Sequence, residues 1–345
     1  MTFHASANKV TVVKGHTVVW AKFILCILII FFSGKKIARY GDIIARKTGL
    51  GGVWTGLVLL ALVTSLPELF TGISAITLVG APDLTIGNIF GANTFNLLNL
   101  ALLDIAHQNG SLLRAVGPGH RLTGWFSLVL VLVAAFAIFI NYRFSALTIG
   151  WIGWYTPVII LLYLVFVRKI FLFEQRQPSY QETNLDYKEI PLGRVYLYFA
   201  VSAAFIIGAG IWLATIGEEI AGVTGWGESF VGSLFIGFTT TLPEITVSFA
   251  AMRMGAVDLA VANMIGSNLF NLTIIPIDDL LYLPGSVLAA VSESHLFTAV
   301  VVTVMTGIFI AGLHTRPNRF LRLSWCNCAL IVLFFLGAYL SFTMS

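Results

Sequence analysis

The stretch Thr64-Ser65-Leu66-Pro67-Glu68, followed by Gly91-Ala92-Asn93-Thr94-Phe95-Asn96, returns later as Thr240-Thr241-Leu242-Pro243-Glu244 and Gly266-Ser267-Asn268-Leu269-Phe270-Asn271. The Pro-Glu pairs lie 176 positions apart and the Gly-x-Asn segments 175 apart, so a single residue has slipped between the copies. Each Glu sits in an apolar run long enough to cross a bilayer. The matched positions are Pro, Glu, Asn and Gly, not the Leu and Val that apolar helices share by chance. A buried carboxylate behind a helix-breaking proline, present once in each half, points to a cation transporter.

The composition sets the class. Of 345 residues, 58% are hydrophobic and 10% charged, whereas soluble domains carry about 25% charged residues. This excludes an ordinary soluble fold and predicts an all-α integral membrane protein of many spans, with the lipid bilayer as its surroundings. No basic run suits nucleic acid. Cys26, Cys326 and Cys328 fall in or near apolar spans and read as small apolar filler, with no disulfide framework. Residues 1–18 show no cleavage-site pattern, so no removable signal peptide is expected.

Ten apolar segments are marked, at about 19–34, 53–79, 84–105, 123–140, 146–167, 194–214, 229–252, 257–282, 295–313 and 323–342. They divide into a first five-helix repeat over 1–170, a polar linker over 171–193 and a second repeat over 194–345. Sixteen of the 20 basic residues fall after odd-numbered spans, among them Lys35, Lys36, Arg39, Arg114, Arg168 and Arg316. The positive-inside rule then makes the linker cytoplasmic and puts both termini outside, in the cell's plasma or inner membrane. Five is an odd number, so tandem copies insert in opposite orientations and form an inverted repeat. Gly87-x-x-x-Gly91 and its counterpart Ala262-x-x-x-Gly266 supply small residues for close helix packing.

Glu68 lies about thirteen residues into its span, so at ~1.5 Å per residue it is near mid-membrane, and Glu244 is similarly deep. A charge there costs ~2.5–3.5 kcal/mol on insertion scales. A structural salt bridge would need a Lys or Arg in the middle of a span, and none is there. The counter-charge is then a mobile cation or proton, the alternative being a permanently protonated Glu hydrogen-bonded to a neighbouring helix. Pro67 and Pro243 free the carbonyls of Val63 and Thr239, and Thr64, Ser65, Thr240 and Thr241 add hydroxyls. With Asn96 and Asn271 these make an all-oxygen site of six or more ligands, which suits a hard cation, Ca²⁺ first and Na⁺ second. Asn88, Asn93, Asn263 and Asn268 are expected to hydrogen-bond between helices, and Asp83 and Asp258 to serve as helix N-terminal charges. His4, His16, His107, His120, His295 and His314 are expected at solvated or interfacial positions. Glu218, Glu219, Glu228, Asp278, Asp279 and Glu293 are expected on a solvated outer surface.

The paired motifs, over 61–99 and 237–274, resemble the two alpha-repeats of the cation/calcium antiporter superfamily, in its sodium/calcium exchanger branch. The resemblance implies Ca²⁺ binding by Glu68 and Glu244 with the backbone oxygens of Thr64 and Thr240. It implies sodium ligands at Ala61, Ser65, Gly237, Thr241 and Ser267, with Asn96 and Asn271 near the centre and spans 1 and 6 as a sliding gate. Three positions depart from the pattern. Val63 and Thr239 stand where the family usually has Gly. Ala92 lacks the hydroxyl of its partner Ser267. Some branches, including potassium-dependent ones, have Asp where Asn271 stands.

The expected function is Ca²⁺/Na⁺ antiport by alternating access, with no resident cofactor and no enzymatic activity. Because both ions use Glu68 and Glu244, they bind in turn and their fluxes are coupled. Ca²⁺/H⁺ exchange is the alternative within the class. An intramembrane enzyme would need a nucleophile or metal-ligand set, and a passive channel would have no use for an inverted duplication around one midplane site.

Overall fold

The computed structural model describes residues 2–47, 60–108, 110–144, 147–174, 191–317 and 323–344. These are almost entirely helical, joined by one short hairpin, β1 (Thr148–Ile149) against β2 (Ile152–Gly153). Eight described helices are long and apolar enough to cross a membrane, and a pair bent by 41° brings the number to nine. The chain is a multi-pass membrane protein. The expected span at 53–79 is described only from residue 60, and most of the expected linker, 175–190, lies outside the described residues.

α1 (Thr2–Lys47) runs without a break through Lys35, Lys36 and Arg39, where a loop is expected from the charge. Residues 35–47 contain no proline, and their Lys, Arg and Ala are good helix formers, so the helix continues past its apolar part. The repeated motif breaks its own span in both halves. α2 (Ala61–Thr64) stops at Ser65 and α3 (Leu66–Ser74) restarts there, with Pro67 in its first turn. α10 (Gly237–Thr240) stops at Thr241, and α11 (Leu242–Arg253) restarts with Pro243 placed the same way. Proline is suited to a first helical turn, where its missing N–H would have no partner.

The centre of the molecule is a pair of helices, α4 (Pro82–Ala106) and α12 (Val257–Leu281), buried along nearly their whole length. They are the least apolar of the candidate spans, because protein rather than lipid covers them. Around them stand α6 (Gly119–Arg143), α7 (Tyr155–Glu174), α14 (Ser294–Thr315) and α15 (Trp325–Met344), with the short helices α5 (Leu112–Ala115), α9 (Glu228–Phe230) and α13 (Val287–Ala290) in the connections. α8 (Leu192–Thr224) packs along α1, and this pair covers the broken segments. Gly34 of α1 lies on Pro243, where an added Cβ would sit 2.7 Å from the Pro243 Cβ. Gly210 of α8 lies over the other break, where an added Cβ would be 3.3 Å from the Pro67 carbonyl oxygen. On α4, Gly87 and Gly91 admit the backbone of Ser229–Ser233, as the small-residue spacing predicts.

Contacts between helix ends sort into two faces. On one face, the Gly117 N–H and the His120 ring meet Asp258 at the start of α12 (2.8 and 2.9 Å), and Arg114 Nε donates to the Arg316 carbonyl after α14 (2.7 Å). On the other, the Ser292 N–H and the His295 ring meet Asp83 at the start of α4 (2.7 and 2.9 Å), and Trp151 Nε1 donates to the Leu280 carbonyl near the end of α12 (3.3 Å). α4 and α12 therefore run antiparallel, as do α6 and α14. His120 and His295 are buried, not interfacial as their position near span ends suggests, because each pairs with an Asp from the other half. Asp279 is likewise buried. It accepts hydrogen bonds from Gly153 N (2.7 Å), Tyr155 Oη (2.6 Å), Thr156 Oγ1 (2.5 Å) and Val287 N (2.7 Å). Its counterpart Asp104 accepts from Leu112 N and, at 2.7 Å, from Asn327 Nδ2.

Candidate cation site

The two broken segments face α4 and α12 across the middle of the protein, and the polar groups there pair in matched fashion. Asn88 Nδ2 donates to the Glu68 carbonyl at 3.4 Å, and Asn263 Nδ2 to the Glu244 carbonyl at 3.2 Å. Thr240 Oγ1 donates to Asn88 Oδ1 at 3.0 Å, and Thr64 Oγ1 to Asn263 Oδ1 at 3.3 Å. Five and eight residues further along the central helices the pattern repeats. Asn96 Nδ2 donates to Asn268 Oδ1 (3.0 Å) and Asn271 Nδ2 to Asn93 Oδ1 (3.1 Å). Asn93 and Asn268 in turn each donate to the other's backbone carbonyl, at 3.4 and 3.2 Å.

This lattice uses the amide N–H groups and leaves acceptors over. Glu68 Oε1 and Oε2, Glu244 Oε2, Asn96 Oδ1 and Asn271 Oδ1 are five buried side-chain oxygens with no donor. An unpaired buried acceptor costs ~1–3 kcal/mol, and more when it is ionised, so these five oxygens destabilise the protein until a partner comes to them. The nearby backbone adds to the set, since neither Pro67 nor Pro243 carries an N–H to bond the carbonyls of Val63 and Thr239.

The halves are not equal around the two acids. Glu244 Oε1 accepts from Ser65 Oγ at 3.0 Å and from Ser267 Oγ at 3.3 Å. Thr241, the counterpart of Ser65, donates instead to the carbonyls of Gly237 (2.9 Å) and Phe238 (3.1 Å) within its own segment. Ala92, the counterpart of Ser267, is buried and has no hydroxyl to give Glu68. Ala61 and Gly237 are buried in the segments just before the two breaks. The Ala61 carbonyl accepts the Ser65 N–H at 3.0 Å, and the Gly237 carbonyl the Thr241 N–H at 3.2 Å.

The sodium/calcium exchanger protein family matches residues 18–172 and 194–344, nearly the whole chain. The chain belongs to that family. Membership makes it an antiporter and not an enzyme. The inner membrane protein YrbG of Escherichia coli is 25% identical over 307 residues, covering 87% of this chain and 90% of that protein. Among solved structures, the H⁺/Ca²⁺ exchanger CAX aligns with a TM-score of 0.70 at 15% identity, covering 94% of this chain and 85% of that one. The sodium-calcium exchanger NCX_Mj aligns at 0.60 and 19%, covering 93% and 97%. Both likenesses concern the exchanger fold.

Several supporting residues of this exchanger are not evident from the motif alone. Asp83 and Asp258, Gly117 and Ser292, His120 and His295, and Asp104 and Asp279 all recur at the same 175-residue spacing as the Gly-x-Asn segments. That spacing was the signal available for them. Asp278 departs from its expected place: it is buried, not on a solvated surface.

Proposed function

We propose that this protein exchanges Ca²⁺ for a monovalent cation across the membrane by alternating access. The observation that carries the reading is the set of five donorless oxygens on Glu68, Glu244, Asn96 and Asn271. With carbonyl oxygens of the broken segments, including those of Thr64 and Thr240, they supply the six to eight oxygen ligands that Ca²⁺ takes. The cargo cannot remain bound while the coupling ion occupies the same carboxylates, so the two ions bind in turn.

Ten spans arranged as two inverted five-helix repeats complete the reading. The span at 53–79 supplies the tenth, and the antiparallel courses of α4 and α12 and of α6 and α14 support the inversion. The linker is cytoplasmic, both termini are outside, and the protein sits in the plasma or inner membrane of its cell. α1 and α8 form the gate, riding on Gly34 and Gly210 over the two breaks.

Na⁺ is the coupling ion in this reading, held by Ser65, Ser267, Thr241 and the carbonyls of Ala61 and Gly237. H⁺ is the second reading. It is favoured by the methyl group of Ala92, which offers no ligand oxygen where its counterpart Ser267 offers one. The test is ⁴⁵Ca²⁺ uptake into proteoliposomes under an imposed Na⁺ gradient and, separately, a pH gradient. Uptake driven by neither contradicts the exchange reading.

A further inference from the structure

Asp278 is a buried acid that the site above does not use. It is fully buried on α12, and its Oδ2 accepts from Thr85 Oγ1 of α4 at 2.6 Å. Its Oδ1 has no partner. The carboxylate lies against Gly72 of α3. A Cβ added to Gly72 would stand 2.7 Å from both Asp278 Oδ2 and Thr85 Oγ1, and 3.3 Å from Asp278 Oδ1. Beside Gly72, the Thr71 hydroxyl is also buried without a partner.

Thr71 and Gly72 follow Glu68 by three and four residues, so all three share one face of α3. Four residues of helix rise ~6 Å. Asp278 therefore stands about one turn from Glu68, towards the face that carries Asp83, His295 and the β-hairpin.

This cluster occurs in one half only. The positions equivalent to Thr71, Gly72, Thr85 and Asp278 are Val247, Ser248, Ala260 and Leu103. There Ser248 donates to the Ala260 carbonyl at 3.0 Å and accepts from Asn263 Nδ2 at 3.0 Å, so no polar side-chain atom of that quartet is left over. The contact at α3 thus has hydroxyls, a carboxylate and the glycine that makes room for it, where the equivalent contact at α11 is closed and satisfied. A duplicated transporter needs no such asymmetry to hold its helices together. An unpaired acid costs stability unless a cation visits it.

We propose that Asp278, with Thr85 and Thr71, forms a second cation-binding site, one turn from Glu68, that receives the coupling ion, H⁺ or Na⁺, on its way between the central site and the face opposite the linker. The inference rests on the exchange reading above. Several charged or titratable groups on the elements packed there have other partners or lie at the surface. Glu68 is the next station on α3. On α4, Asp83 is paired with His295, and Asp104 with Leu112 and Asn327. Asp279 and Tyr155 bond each other, and Arg143 of α6 is exposed. One acid, one bound hydroxyl and one free hydroxyl form a smaller set than Ca²⁺ requires, so the site selects the monovalent ion.

The test is the Asp278→Asn variant, nearly isosteric and still able to accept from Thr85. Proteoliposomes containing it and the wild type take up ⁴⁵Ca²⁺ while either the Na⁺ gradient or the pH gradient is titrated. The arm that drives the wild type identifies the ion. In that arm the coupling ion's half-saturating concentration is expected to rise about tenfold in the variant, while that for Ca²⁺ moves less than twofold. Superimposable titrations overturn the site alone, as does an equal shift for both ions. Wild-type protein that moves Ca²⁺ against neither gradient overturns the exchange reading and this site with it. Should Asp278→Asn fail to fold, Thr85→Ala carries the same test. About a threefold shift for the coupling ion supports the site, and none overturns it.

Discussion

Asn268→Leu removes two hydrogen bonds from the centre of the protein while keeping the number and branching of the side-chain heavy atoms. Asn268 Oδ1 is the acceptor for Asn96 Nδ2 at 3.0 Å, and Asn268 Nδ2 donates to the Asn93 carbonyl at 3.2 Å. Both Asn96 and Asn268 are buried, so water does not replace what is lost. Leaving the Asn96 amide without its acceptor costs ~1–3 kcal/mol, and losing the second bond costs about 1 kcal/mol more. Stability should fall by roughly 2–4 kcal/mol in total. The function should suffer through Asn96. Its Nδ2 bond to Asn268 is what keeps Oδ1 turned away as a free acceptor, and without it the amide has no preferred orientation. Holding that oxygen in place is worth about one hydrogen bond, or roughly a tenfold change in apparent Ca²⁺ affinity at 1.4 kcal/mol per decade. The assays are thermal unfolding in detergent and a Ca²⁺ titration of transport in proteoliposomes. Asn93→Leu removes the matched pair and should behave alike. If Asn268→Leu lowers stability by the expected amount but leaves Ca²⁺ affinity as it was, Asn96 does not face the ion and the argument from unpaired oxygens fails at that residue.

Three further outcomes are expected. Ala92→Ser should strengthen the apparent affinity for Na⁺ several-fold, about 1 kcal/mol, with little effect on Ca²⁺, and Ser267→Ala should weaken Na⁺ activation; an unmoved Na⁺ titration for Ala92→Ser would remove position 92 from the sodium site. In a background without Cys26, Cys326 and Cys328, a cysteine at Ser179 should react with a membrane-impermeant reagent only from the cytoplasmic side and one at Ser345 only from outside; labelling of both from one side contradicts ten spans. Gly34→Val and Gly210→Val place branched side chains against Pro243 and Pro67, and each should slow maximal exchange tenfold or more at saturating ions; wild-type turnover in both would mean that α1 and α8 do not slide there.

The repeated Pro-Glu and Gly-x-Asn segments made the breaks at Ser65 and Thr241 legible, because proline has one place in a helix start and the duplication fixes its counterpart. The bonds made by Asn88, Asn93, Asn263 and Asn268 were also readable, since an amide inside an apolar span must find a partner. The partner's identity was not, above all for Asn93 and Asn268, whose partners lie 172 to 178 residues away. His120, His295, Asp278 and Asp279 show the same limit. A polar residue at the edge of a hydrophobic run reads as solvated until the element that covers it is placed, and here the cover comes from the other half or from the β-hairpin. Thr241 shows a finer one. Its hydroxyl has the same sequence setting as that of Ser65, yet it bonds to carbonyls of its own turn, an i−4 choice open to Thr and Ser alike in a helix.

In the proposed exchange Glu68 and Glu244 are the carboxylates that both ions share. The most direct test is ⁴⁵Ca²⁺ uptake into proteoliposomes by the wild type, Glu68→Gln and Glu244→Gln, under the gradient that drives the wild type, with each variant checked for a folded state by size-exclusion profile and thermal unfolding. The prediction is that both variants fold and that neither accumulates Ca²⁺ above protein-free vesicles. Near-normal uptake by either variant would contradict it.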